Sequence, residues 1–318
     1  MEVESNIPNR LFKYRNFSDK SLDMLVSNKV FFADPNTFND PLDTKPSLKP
    51  DVDVNELENV LFKLIAEREK AEMTAAAKAI KYQGPKTIDH IFRHSRNRAK
   101  SLIEKINYDA TNPHYEEGQI NGPLQMLLTG RLESELLSRY DKGIFSLAES
   151  ANCPLMWSHY GDQHKGICIG YSVPENVTND VHKMKYDGNR LVLASSVAKM
   201  LDGDEEAQRK VDQAVLTNKA PAWSYEKEWR LIGRLGLQES TLELEEVVFG
   251  MRCGNAVIHA VVKALEDRRR KVRFFEINQK QGEFCLIKRE LDREIIAQLP
   301  HSRMDVNEAF PNFPNTDS

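Results

Sequence analysis

The sequence predicts an α+β fold, with a mixed, mainly antiparallel sheet core, flanking helices and an inserted helical pair. Three observations carry this. Short runs with a period of two recur along the whole chain. Two long runs at helical spacing sit together between residues 54 and 106. No internal repeat or low-complexity linker divides the chain, so residues 1–300 read as one α+β domain with a helical insertion at about 50–110.

The elements follow in order. Residues 11–15, LFKYR, alternate as a strand, with Phe12 and Tyr14 on one face and Lys13 and Arg15 on the other. Ser18 suits an N-cap for a helix through Leu22, Leu25 and Val26, with Asp19 in its first turn. Asn28 suits the helix end, and Val30 to Phe32 reads as a second strand. Residues 34–43 are rich in turn formers. In the insertion, Val54, Leu57, Leu61, Leu64 and Ile65 line one helix, and Gly84-Pro85 breaks the run. Ile88, Ile91, Phe92, Ala99, Leu102, Ile103 and Ile106 line the second.

Residues 123–140 predict another helix, and Ile144–Ala148 and Gly166–Val173 predict strands flanking a short helix at Pro154–Tyr160. Lys183–Tyr186 reads as a strand, 192–219 as helix interrupted near Gly203, and Trp223–Arg234 as a strand. Val247–Phe249 follows as a short buried strand, then an amphipathic helix over Asn255–Arg269. Val272–Ile277 and Glu283–Lys288 close the sheet around a Gln-Gly turn. Residues 301–318 are expected to be a loose tail, rich in Pro and Asn from Phe310 onward.

Composition excludes several function classes. Length allows a sizeable core without staples. The 44 basic and 48 acidic residues leave a net charge of -4, so nucleic acid or an acidic membrane would have to use a local patch. Cys153, Cys168, Cys253 and Cys285 form no CxxC pair, which argues against a zinc knuckle or a disulfide scaffold. Each is expected to be a small buried hydrophobe in a reducing, cytoplasmic compartment. The acidic start MEVESNIPNR does not read as a signal peptide, and no apolar run is long enough to span a bilayer.

Four motifs carry polar chemistry. In KYR, Arg15 on a strand face suits phosphate or carboxylate, or an ordinary ion pair. In FNDPLD, Asn39, Asp40 and Asp43 favour an Asx-type turn, and Asp40 or Asp43 is placed to orient the KYR arginine. The stretch from FSLAES to GICIGY puts Ser146 on a strand and crowds Met156, Trp157, His159 and Tyr160 into one segment, as core or pocket wall. His159 and His164 stand five apart with no third ligand, so no metal is expected. No GxSxG elbow surrounds Ser146 or Ser158. In WSYEKEWRLI, strand alternation puts Glu226, Glu228 and Arg230 on one face, either a paired-carboxylate site or a salt-bridge ladder. The basic face His90, Arg93, His94, Arg96, Arg98 and Lys100 suits phosphates or plain solvent.

Together these words resemble a bacterial family, domain of unknown function 2971, from about residue 11 to 290, with the insertion outside the likeness. That family name implies no activity. Three pieces are also similar to the arginine–serine–glutamate group of ADP-ribosyltransferases: Arg15, Ser146 and the pair Glu226, Glu228. The serine word departs from that group, reading Ser146-Leu147-Ala148 in place of Ser-Thr-Ser. The likeness implies an NAD-consuming transferase or glycohydrolase. Glu228 would then stabilise the oxocarbenium-like state, Arg15 clamp pyrophosphate, and Ser146 hold Glu228 or the ribose. Tyr14, Trp157 or Tyr160 would stack on nicotinamide, with His159 beside them. Glu226 would orient a protein, nucleic-acid or water acceptor. The alternatives are a non-enzymatic nucleotide- or protein-binding module, such as a regulatory or phage-defence partner, using Arg15, Glu228 and Arg230, and a nucleic-acid-acting protein using residues 90–100.

Overall fold

The structure, a computed structural model, describes residues 7–82, 84–112, 122–140, 142–292 and 294. The expected tail at 301–318 lies outside them. The strands are β1 (Leu11–Arg15), β2 (Lys29–Phe32), β3 (Ser47–Lys49), β4 (Gly143–Ala148), β5 (Ile167–Ser172), β6 (Val181–Lys183), β7 (Leu191–Leu193), β8 (Glu228–Gly233), β9 (Gly236–Glu239), β10 (Glu243–Phe249), β11 (Arg273–Gln279) and β12 (Leu286–Glu290). The helices are α1 (Asp19–Val26), α2 (Val54–Ala79), α3 (Thr87–Asp109), α4 (Pro123–Ser138), α5 (Pro154–His159), α6 (Ala194–Leu201), α7 (Glu205–Leu216) and α8 (Asn255–Leu265).

Eight strands form the main sheet in the order β12-β11-β10-β5-β1-β4-β8-β6. Its pairings are antiparallel except β10 with β11, so the sheet is mixed and mainly antiparallel as expected. Two small pairs, β2–β9 and β3–β7, lie outside it. Central β5 reads ICIGYS and is covered on both sides, which explains its continuous apolar run. Gly170 sits there because an added Cβ would meet the Glu246 side chain at 2.5 Å.

Pleating gives the sheet two faces. Leu11, Phe145, Leu147, Trp229 and Leu231 pack under α1 and α8 in one cluster. On the opposite face, Phe12, Tyr14, Ala148 and Cys168 pack with Trp157 of α5. Farther along that face, Ile144 joins a third cluster built from α2, α4, α6 and α7. The inserted helices therefore share their apolar interior with the sheet. Local signals start the helices where the sequence places them. Ser18 and Ser21 form a reciprocal capping box, and Asp53 and Asp204 cap α2 and α7.

Several expectations need correction. The strand predicted at Trp223–Arg234 begins only at Glu228. Pro221–Glu226 is a 3-10 turn, and Lys227 follows in a left-handed conformation at φ 44°. Pro221 suits the first helical position, and the turn draws Glu226 back to Lys219, overriding the β-propensity of the aromatics. The strand expected at Lys183–Tyr186 lies at Val181–Lys183, although Met184 N–H still donates to the Glu228 carbonyl. Ile88 and Phe92 are not on the buried side of α3, whose interior seam is Ile91, Ser95 and Ala99. Cys168 is buried as expected, but Cys285 is exposed.

Leu61 of α2 is fully buried in the cluster shared with the sheet. Leu61→Ala is expected to lower stability by about 2–5 kcal/mol. Denaturant unfolding followed by far-ultraviolet circular dichroism and by tryptophan fluorescence should shift as one transition. Two separate midpoints would show that the helices and the sheet unfold independently.

Candidate functional site

The polar site lies on the seam between the helical cluster and the Trp157 cluster. Register explains its position. Ser146 is opposite Arg230 and Ala148 opposite Glu228 across β4 and β8, so Ser146, Glu228 and Arg230 share one face. Ile144 on one side and Ala148 on the other belong to different apolar clusters.

Arg230 is 0% exposed and every guanidinium nitrogen has a partner. Its Nε donates to Glu228 Oε1 at 2.9 Å, and its Nη1 to the Leu216 carbonyl at 2.9 Å. Its Nη2 donates to Asp43 at 2.8 and 2.7 Å and to Glu228 Oε2 at 3.2 Å. Phe38 lies 5.4 Å from the guanidinium carbon. Lys219, which the sequence reading did not single out, is the second buried cation. Its Nζ lies 2.5 Å from Glu226, 3.0 Å from Glu228 and 3.5 Å from Asp43. It follows α7, and its backbone is fixed by bonding to Lys185. A lone lysine in a connection gives no periodic or motif signal, so only the tertiary structure reveals it.

The FNDPLD motif enters by three bonds. Asp43 pairs with Arg230, Asp40 accepts from Trp223 Nε1 at 2.7 Å, and Asn39 Nδ2 donates to the Tyr160 hydroxyl at 3.4 Å. The expectation that Asp40 or Asp43 orients Arg15 is therefore corrected. Both carboxylates are held by groups from the β8 region, and the Arg15 Nη1 faces Met24 Sδ at 3.5 Å. Asp40 also makes the expected Asx turn, accepting from Leu42 N–H at 2.8 Å.

The charges set the protonation states. Burial acts to raise Glu228, but Arg230 and Lys219, with hydrogen bonds from Arg230 and Ser146, outweigh it and hold the carboxyl at about 2. Burial pushes Glu226 upward, Lys219 opposes this and Glu228 adds to it, and the net direction is up. Lys219 is raised: burial lowers it, but Glu228, Glu226 and Asp43 together prevail. Three carboxylates thus face two cations, and Glu226 is the carboxyl whose proton affinity is raised. Both Glu226 and Glu228 are 4% exposed.

Glu226 connects this interior to a cavity. Tyr160 O–H donates to Glu226 Oε1 at 2.8 Å. Tyr160 also lines an open cavity of about 360 Å³ together with Lys13, Tyr14, Arg15, His159 and Asp162. Lys13 donates to the Ser146 carbonyl at 2.9 Å. Burial and then the neighbouring Arg15 charge bring Lys13 down to about 8. Neither Lys13 nor Arg15 forms an ion pair with a described carboxylate. The turn Asp162, Gln163, His164 is left-handed at all three residues, with φ of 50°, 53° and 67°. Non-glycine residues adopt that conformation at a cost of roughly 1–2 kcal/mol each. His164 stacks on Trp157 with ring centroids 6.0 Å apart, which helps anchor the turn.

Ser146, Glu226, Glu228, Arg230, Asn39, Asp40 and Tyr160 are thus drawn together, while Arg15 lies on the cavity wall apart from the carboxylates. Tyr14 also lines the cavity, but its hydroxyl donates to the Ser150 carbonyl at 2.7 Å. Trp157 is corrected as a stacking residue. It is 0% exposed, its Nε1 donates to the Ala151 carbonyl, and Tyr14 packs edge-on against it. The exposed His159 and three half-buried rings form a different row. Trp223 and Tyr225 lie 6.1 Å apart, Tyr225 and His159 6.3 Å, and His159 and Tyr160 6.2 Å.

Fold and site define an α+β protein with a buried ionic knot beside a cationic cavity. Over residues 156–231 the chain matches a family described as protein of unknown function (DUF2971). The matched stretch holds Tyr160, Lys219, Glu226, Glu228 and Arg230, and Arg15, Asp43 and Ser146 lie outside it. No curated protein and no solved structure matches the chain.

Two outcomes follow from the knot. Arg230→Met leaves three buried carboxylates to Lys219 alone, and its unfolding free energy should fall by about 3–5 kcal/mol in urea titration. Acid dependence is the second. Glu228 is held below its ordinary 4.5, so between about pH 4.5 and 2 the unfolded chain binds more protons, and stability falls as pH drops through that window. Glu226, raised instead, works in the opposite direction above pH 4.5. Glu228→Gln should flatten the acid limb of the stability curve, and an unchanged limb would contradict the assignment.

Proposed function

We propose that the cavity binds a phosphate-bearing small molecule of the nucleotide class. The observation that carries this reading is the pair Lys13 and Arg15, on the same side of β1, both lining the cavity and neither in an ion pair with a described carboxylate. Two such cations suit a di-anion or pyrophosphate. The row Trp223, Tyr225, His159 and Tyr160 supplies ring faces close by, which suit a base. Tyr160 is held by Glu226, so the buried charges serve to hold the cavity wall. Isothermal titration with ADP, NAD and inorganic phosphate tests this. Binding of at least one nucleotide is expected, weakened about tenfold or more by Arg15→Ala, the scale of a lost hydrogen bond to a charged group. Absence of binding by all three would remove the reading.

A second reading, NAD turnover, is favoured by one observation. Glu226 is raised by burial and stands one hydrogen bond from a cavity-lining hydroxyl. In NAD cleavage the bond from ribose to nicotinamide breaks, the electron pair leaves with nicotinamide, and water or another acceptor takes its place. A carboxyl pair near that centre stabilises the developing positive charge. Glu228 is committed to Arg230, Lys219 and Ser146, so it would act through Glu226 and not by touching the sugar. Free nicotinamide released from NAD is the readout. Release that Glu226→Gln abolishes while folding is kept supports turnover, and no release by the unaltered protein leaves binding alone.

A further inference from the structure

The helical insertion carries a feature that the cavity does not use. Buried side chains of α2 end at Ile65. The helix runs on to Ala79, a projection of roughly 20 Å at the rise of an α-helix. Past the ion pairs that tie Glu67 and Arg68 to Arg139 and Glu135 of the α4 end, its partner is α3, through the narrow seam Ile91, Ser95 and Ala99. The two helices thus form an arm, and the described residues 78–82 and 84–93 make its tip.

That tip is both apolar and basic. Ile80 is 75% exposed, Ile88 82% and Phe92 53%. Ile88 and Phe92 are four apart on α3 and so share a face. Between Lys78 and Lys100 there are seven Lys and Arg against one acid, Asp89, in a chain whose net charge is -4. Lys78, Lys81, Lys86 and Arg93 form no ion pair with a described carboxylate. Solitary exposed apolar residues need no explanation, but three large ones among four uncompensated cations do.

We propose that the arm tip docks on an anionic lipid surface. Charge complementarity requires a polyanion, and the apolar residues decide which. Ile80 and Ile88 offer nothing to phosphodiesters or base edges, whereas a headgroup boundary accepts aliphatic side chains flanked by lysine and arginine. No described helix is long and apolar enough to cross a membrane, so the contact is peripheral.

Co-sedimentation of the full chain with vesicles of phosphatidylcholine, with and without phosphatidylserine, tests this. Binding is expected only with phosphatidylserine and should weaken as salt rises toward about 0.15 M and beyond. Lys81→Glu, Lys86→Glu and Arg93→Glu together should weaken it about a hundredfold or more. The pair Ile80→Asp and Ile88→Asp should weaken it by on the order of tenfold. These side chains are exposed, and circular dichroism verifies that each variant is folded. No binding to phosphatidylserine vesicles at low salt, or variants that bind like the parent, would overturn the proposal. Binding to short duplex DNA that survives Ile80→Asp and Ile88→Asp, without vesicle binding, would overturn it in favour of nucleic acid.

Discussion

A fully buried guanidinium, Arg230, holds the site in its place. A charge removed from water is tolerated only with excellent geometry and complete hydrogen bonding, and Arg230 has both. Its partners come from distant parts of the chain: Asp43 after the second strand, Leu216 at the end of α7, and Glu228 on the same strand. Lys219 extends the set to Glu226. Removing either cation leaves buried carboxylates short of a partner, so the knot ties the relative placement of these segments together.

The knot also shapes what borders it. Three carboxylates meet two cations there, and burial, with Glu228 beside it, raises the proton affinity of Glu226 against the pull of Lys219. Tyr160 donates to that carboxyl and faces the cavity, where Lys13 and Arg15 concentrate positive charge. Lys13 touches both sides: it lines the cavity and bonds the Ser146 carbonyl, whose hydroxyl in turn supports Glu228. Acidic floor and cationic wall are therefore parts of one electrostatic arrangement.

Much of this was legible in the amino-acid order, for identifiable reasons. Alternation in LFKYR set Phe12 and Tyr14 apart from Lys13 and Arg15, and Ile144–Ala148 read as the strand it is. Helical spacing and the Gly84-Pro85 break located the insertion. The crowded MWSHY segment read as core or pocket wall, and it is both: Trp157 is core and Tyr160 is wall. What failed depended on tertiary contacts. Trp223 and Tyr225 look like strand residues, yet Pro221 and the Lys219–Glu226 pair fold them into a turn. Glu226 still meets Glu228, by that turn and not by strand alternation. Lys219 has no local signature, and the three-residue strands β3 and β7 are too short to show a period.

The central claim is that the cavity lined by residues 13–16 and by His159, Tyr160 and Asp162, backed by the buried ionic knot, holds a phosphate-bearing ligand. A crystal structure of the chain soaked with an adenine nucleotide tests it most directly. The account predicts phosphate oxygens bonded by Lys13 and Arg15, with the base against the Tyr160–His159–Tyr225 row. A nucleotide bound at another place on the molecule, with this cavity filled only by solvent, would contradict it.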